Sequence, residues 1–236
     1  MSGSTGHKLP RLRLLRHGQA SLGSADYDRL SKLGQTQSRL LGERIAHAAS
    51  PDHVIWSGSM RRHRQTLESL SVNAPYRIEQ GLNEYTVSEL IRSALGQADR
   101  IGLNLPDSVI FEDPVAHLKT LLEWFPEVLG AWQQARFECQ HNGSWHSFRK
   151  RVTARTPDWK MAVQQGQDVT VVTSAGVIST VVAELLEETL AWQRELNVAL
   201  YNASVTELTL EENGTWTATT INCTRHLDTD NLKTLA

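Results

Sequence analysis

Arg11-Leu12-Arg13-Leu14-Leu15-Arg16-His17-Gly18 is a short apolar-rich segment that stops at an Arg-His-Gly turn. The segment predicts a strand over 11–16 whose C-terminal end delivers a basic residue, an imidazole and a glycine. Open α/β sheets bind their ligands just outside the carboxyl ends of their strands. Gly18 lets the backbone approach a ligand with no Cβ in the way. Arg16 can fork two hydrogen bonds onto a phosphate, and His17 is a nucleophile available near neutral pH.

Working outward, residues 1–10 read as a tail, and a loop runs from Gly18 to Asp28. A helix is expected from Ser31 to Ala48, with Leu33, Leu40, Leu41, Ile45 and Ala48 on one face and Arg39, Glu43 and Arg44 mostly away from it. Pro51 punctuates. His53–Ser57 reads as a second buried strand ending at Ser57-Gly58-Ser59, and a basic helix over about 60–71 follows. Tyr76–Ile78 is a short strand leading into Gly81-Leu82-Asn83-Glu84. Between about 86 and 165 the pattern is helical, carries Trp124, Trp132, Trp145 and Trp159 and offers no strand, as a helical cap inserted into an α/β domain would. Its tryptophans read as cap core. Asp168–Thr173, β-branched and apolar, is the strongest strand signal in the chain. It breaks at Ser174-Ala175-Gly176 into an apolar helix over about 177–188. Strands over 204–210 and 215–222 flank a turn at Asn213-Gly214 and predict a hairpin.

This order predicts the α/β class: a three-layer α/β/α, doubly wound and mostly parallel sheet, with an antiparallel edge hairpin and the inserted cap, in one domain over 1–236. Strand ends at 16–18, 57–62 and 173–176 then converge on one crevice. The bulk properties fit a globular protein, with 40% hydrophobic and 21% charged residues. A net charge of −2 argues against a nucleic-acid partner. No apolar run approaches the roughly 18 residues of a membrane span, and Met1–Lys8 lacks the apolar core of a secretory signal. Cys139 and Cys223 are far apart without metal-ligand spacing, so reduced thiols in a cytoplasmic protein are expected, with no metal and no cofactor.

Arg16-His17-Gly18 at a first strand end resembles the signature of the histidine phosphatase superfamily, the phosphoglycerate mutase-like fold. Further stretches resemble that family in order. Asp28-Arg29-Leu30-Ser31-Lys32-Leu33-Gly34-Gln35 is similar to its Leu-Thr-x-x-Gly helix start. Arg62-His63-Arg64-Gln65-Thr66, following Ser57-Gly58-Ser59, is similar to its Arg-x-x-Gln-Thr segment. The resemblance implies that Arg62 is the second phosphate-binding arginine and that Glu84 is the acidic proton donor. It places Ser174, followed by Ala175, where the family usually contributes a second histidine. A homodimer is also what the resemblance implies.

The chemistry expected of these residues is phosphomonoester hydrolysis without a metal. His17 attacks phosphorus and forms a phosphohistidine, Arg16 and Arg62 stabilise the phosphoryl oxygens, and Glu84 protonates the departing alkoxide and then activates water. The Ser174 hydroxyl can donate to the phosphate, and the free amides that open the next helix at Ala175 favour an anion. Gln19 and His63 are further candidates. Replacing the second histidine by Ser174 would cost on the order of 10²–10³ in rate, the scale of one oxyanion donor. Two alternatives on the same fold therefore accompany the phosphatase: a catalytically weakened phosphate-ligand binder or regulator, and a mutase-type phosphotransferase. Tyr85-Thr86-Val87-Ser88 after Glu84 differs from the Arg-His-Tyr-Gly of cofactor-dependent mutases, which favours the phosphatase. A serine hydrolase using Ser174 as nucleophile and His226 as base is disfavoured by Val172, where the sharp nucleophile turn needs glycine.

Overall fold

A computed structural model describes residues 9–235, apart from 22, 24–25, 49–51, 71–73 and 114. The tail expected before residue 9, and Pro51, lie outside the described residues. The elements, in chain order, begin with β1 (Arg11–Arg16), α1 (Lys32–Ala48), β2 (His53–Ser57), α2 (Arg61–Glu68) and β3 (Tyr76–Ile78). A 3₁₀ turn at Gln80–Leu82 leads to α3 (Val87–Leu95), α4 (Ala98–Ile101), α5 (Val109–Glu112), α6 (Leu118–Gln133), α7 (Trp145–Thr153) and α8 (Thr156–Gln164). The chain then forms β4 (Asp168–Thr173), α9 (Ala175–Leu185), α10 (Leu190–Ala199), β5 (Val205–Leu210) and β6 (Trp216–Cys223). No helix among the described residues is long and apolar enough to cross a membrane.

The six strands form one sheet in the order β3-β2-β4-β1-β5-β6. β3 with β2, β2 with β4 and β4 with β1 run parallel, whereas β1 with β5 and β5 with β6 run antiparallel. The hairpin therefore occupies an edge, as expected. Its turn contains Gly214 at φ +82°, a conformation open to glycine at no steric cost.

Alternation along the strands gives the sheet two apolar faces. Leu12, Leu14, Val169 and Val171 join a large cluster with Trp159 of α8, Val177, Ile178 and Val181 of α9, and Val128, Leu129 and Trp132 of α6. Leu15, Val172 and Val205 point the other way, onto Leu41 and Ile45 of α1 and Leu70 just beyond α2. Helices on both faces make three layers. The tryptophans of the helical stretch are all buried, and Trp159 stands edge-on to Trp56 of β2 with ring centres 6.4 Å apart.

The buried face of α1 differs from the apolar stripe expected from its sequence. Gln37 and Ser38 are fully buried, and Leu33 and Leu40 are only partly so. The reason is polar bonding: Gln37 Oε1 accepts from Gln19 N at 2.8 Å, its Nε2 donates to Leu232 O at 2.8 Å, and Ser38 meets the Thr66 hydroxyl at 3.3 Å. α1 is thus bolted to the loop that follows β1. Gly34 is required at this joint, since a Cβ there would lie 2.1 Å from Gln19 O. That contact gives a packing reason for the glycine of the helix-start motif.

The candidate active site

Parallel registration brings three strand ends level. Arg16 of β1 is paired with Thr173 of β4, and Ser57 of β2 with Val172. Each ladder continues one step: His17 N donates to Thr173 O at 2.9 Å and Gly58 N to Val172 O at 3.0 Å. The residues that follow the strands are consequently held by the sheet itself.

His17 is 4% exposed. Its Nδ1 lies 2.7 Å from Gly18 O, which fixes the proton on Nδ1. Nε2 is then the free base, and it accepts from Arg62 Nε at 3.1 Å. Burial, reinforced by Arg62, Arg16 and His63, holds the imidazole well below its usual range and keeps it neutral.

Arg62 is 4% exposed and also donates through Nη1 to Asp28 Oδ1 at 2.6 Å. Asp28 Oδ2 accepts from Arg61 N at 2.8 Å, so one loop carboxylate braces the start of α2 and its buried guanidinium together. The Tyr27 ring covers the same guanidinium at 5.5 Å. Arg16 is anchored through Nη1 to Leu200 O. Its buried Nε has no partner, and burial pushes its pKa down to about 10.

Glu84 faces this pair from the segment after the 3₁₀ turn. Its Oε2 accepts from Gly176 N at 2.7 Å and its Oε1 from Tyr85 N at 3.2 Å. Burial raises its pKa, opposed by those two amides and by Arg62 and Arg16. Gly176 permits the approach, because a Cβ there would stand 2.4 Å from Glu84 Oε1 and 2.6 Å from Tyr85 Cε1. The Glu84 segment is tied down on several sides. Thr173 Oγ1 donates to Leu82 O at 2.6 Å, Ser59 N to Asn83 Oδ1 at 2.7 Å, and Arg151 Nη1 to Gly81 O and Asn83 O at 2.8 and 2.9 Å.

Ser174 is 2% exposed and opens α9, with Ala175 as its first residue. His63 is fully buried, and its Nε2 lies 2.7 Å from Ser174 Oγ. Its ring centre is 5.5 Å from that of His17. Gln19 serves the loop: its Oε1 accepts from Ser31 Oγ at 2.8 Å. His226 pairs with Arg44 at 3.3 Å, while Ser174 has His63 as its partner, so the serine–His226 couple does not form. Asp28 and Arg151 are the structural contributors that the sequence did not single out. A carboxylate in a polar loop and an arginine on a distant helix carry no local signal of what they will meet.

Two arginines, a neutral imidazole whose Nε2 accepts from one of them, and a half-buried carboxyl group therefore gather at the strand ends. The sequence profile of the histidine phosphatase superfamily (branch 1) matches residues 12–92 and 116–224. The chain belongs to that superfamily. No curated protein matches it. The fold of this superfamily member is shared with the mycobacterial glucosyl-3-phosphoglycerate phosphatase, at TM-score 0.61 and 20% identity over 91% of this chain and 99% of the other. A structure of that phosphatase with VO3 aligns at TM-score 0.61 and 21% identity, covering 91% and 100%. A mutant phosphoserine phosphatase from Entamoeba histolytica, in complex with phosphoserine, aligns at TM-score 0.62 and 17% identity, covering 92% and 99%.

Proposed function

We propose that the protein is a phosphomonoester hydrolase working through a phosphohistidine on His17, without a metal. The observation that carries this reading is the presentation of His17 Nε2: deprotonated, buried and held 3.1 Å from Arg62 Nε. In the first step the Arg62 Nε–H shifts from Nε2 to a phosphoryl oxygen, which frees the lone pair; Nε2 then bonds to phosphorus as the P–O ester bond breaks, and Glu84 gives its proton to the departing oxygen. Arg62, and Arg16 through its unpartnered Nε, offset charge on the equatorial oxygens. In the second step the Glu84 carboxylate takes a proton from water, the water oxygen bonds to phosphorus, and the P–N bond breaks to release inorganic phosphate. The phosphoserine held by a phosphatase of the same fold favours a small polar phosphate ester as substrate. Within residues 86–165 the helices before α8 act as the cap that selects it, since Tyr85 beside the acid packs on Phe125, Trp132 and Phe148 of that stretch, whereas α8, expected with them, packs on the sheet through Trp159. Two free thiols, Cys139 and Cys223, accord with a cytoplasmic setting.

Rapid quenching during turnover of an aryl phosphate in EDTA tests the reading. The expected product is a phosphoenzyme that survives alkali and is lost in acid, with EDTA leaving the rate unchanged. Because Ser174 and His63 also form a serine–histidine pair, an acid-stable phosphoserine would instead make Ser174 the nucleophile. Loss of turnover in EDTA, restored by a divalent cation, would refute the metal-free scheme. Gly176→Ala gives a second check. Its Cβ must displace the Glu84 carboxylate and the buried Tyr85 ring, so stability should fall by about 1–3 kcal/mol and kcat by about 10². Thermal unfolding and steady-state hydrolysis measure both; a fully active Gly176→Ala protein would show that Glu84 need not sit where it does.

A further inference from the structure

His63 lies on a helix whose neighbouring Arg61 and Arg64 are exposed, yet its own side chain is fully buried. The ring is wedged against the backbone of Gly58: a Cβ on that glycine would lie 2.1 Å from Nδ1 and 2.8 Å from Cε1. Nδ1 has no hydrogen-bond partner, whereas Nε2 lies 2.7 Å from Ser174 Oγ. A buried N–H without an acceptor costs the full desolvation of that group. The ring proton is therefore assigned to Nε2, which donates it to Ser174.

Ser174 is equally unusual for its place. A serine at a helix N-cap normally turns its oxygen back to accept from the second or third amide of its own helix. Ser174 makes no such bond, and the Gly176 amide in that first turn is taken by Glu84 at 2.7 Å. With its oxygen occupied by the His63 donor, the serine hydroxyl proton is directed elsewhere. The neighbouring functional group is His17, whose amide donates to Thr173 O at 2.9 Å and whose ring centre is 5.5 Å from that of His63.

We infer that His63 is a positioning residue that acts through Ser174, aiming the serine hydroxyl at a phosphoryl oxygen. The pair supplies as a two-residue relay the neutral donor that a single side chain at position 174 does not provide alone. The inference rests on the phosphoryl-transfer role of His17 but concerns a different contact to the same phosphoryl group.

A double-mutant cycle on the full-length chain tests it, read as kcat/KM for an aryl phosphate and, separately, as affinity for orthovanadate, which needs no turnover. His63→Leu and Ser174→Ala should each lower both quantities by about 10², the scale of one lost oxyanion donor. The double variant should fall no more than about threefold below either single one, because the two residues act as a unit. His63→Gln retains an N–H donor and should stay within about fivefold of wild type, a recovery that simple filling of space would not give. If the leucine variant does not fold, His63→Asn, whose amide is too short to reach Ser174, takes its place in the cycle. Additive losses, an unimpaired His63→Leu protein, or a folded His63→Gln protein that loses a hundredfold would each overturn the inference. Wild type that binds orthovanadate without turning over substrate would sink the hydrolase reading alone, and the vanadate cycle would still decide the role of His63. Wild type that does not bind orthovanadate overturns both.

Discussion

Replacing His17 by alanine should lower kcat for a phosphomonoester by at least about 10⁴, the scale on which loss of a covalent nucleophile is felt. The neighbouring buried histidine is not placed to substitute. His63 is turned to Ser174 through its Nε2, and the other ring nitrogen is pressed against Gly58. The cations that collect the phosphate remain, because Arg16 is anchored to Leu200 O and Arg62 to Asp28 independently of the imidazole. His17→Ala should therefore still bind orthovanadate while forming no phosphoenzyme. Paired turnover and vanadate-binding measurements check this, and equal activity in the two proteins would remove His17 from the reaction altogether.

Glu84→Gln separates substrates by leaving group. An alkyl phosphate departs as a strongly basic alkoxide and needs a proton, so its kcat/KM should fall by about 10²–10⁴. A p-nitrophenolate leaves without one, and its kcat/KM, which reports the first chemical step, should stay within about tenfold. The phosphoenzyme should then accumulate, since its hydrolysis has lost the base. The pH dependence carries the same signature. Glu84 donates only while protonated, and burial raises its pKa, so alkyl phosphate turnover by wild type declines with rising pH above the usual carboxylate range. His17 must be unprotonated, and its pKa lies well below the usual imidazole range. Its acid limb therefore appears only at pH values well under that range. In Glu84→Gln the alkaline decline due to Glu84 should vanish. Equal losses for alkyl and aryl esters would mean that Glu84 is not the acid.

Much of this arrangement could be read from the chain because the relevant signals are short-range. β4 is a run of β-branched residues broken by Ser-Ala-Gly, and β1 ends in Arg-His-Gly, so strand, turn and ligand-facing residue sit within a few positions. Arg62 stands out through the resemblance of Arg62-His63-Arg64-Gln65-Thr66 to the family's segment, and the fold shows why Gln65 and Thr66 accompany it. Thr66 Oγ1 accepts from Gly18 N, and Gln65 Oε1 accepts from Leu30 N. The polar residues that became interior were harder to see. Gln37 and Ser38 interrupt the apolar face of α1 because their partners come from the loop after β1 and from α2. His63 sits in a basic run that reads as a solvated face, and it is buried because the first turn of α2 points into the crevice. Asp28 gains its function only when its loop folds over the start of α2. In each case the deciding contact joins residues far apart in the chain, which no local period reveals.

Arg151 has a consequence for how such an enzyme could be changed. Its guanidinium reaches from α7 to the carbonyls of Gln80, Gly81 and Asn83, immediately before Glu84. The helical stretch and the Glu84 segment are therefore not separate modules. A graft that exchanged the whole stretch for that of a relative, hoping to import its selectivity, would also cut the stitches that hold Glu84. A successful transplant would have to carry an equivalent arginine, or else redesign only those helices that leave this seam intact.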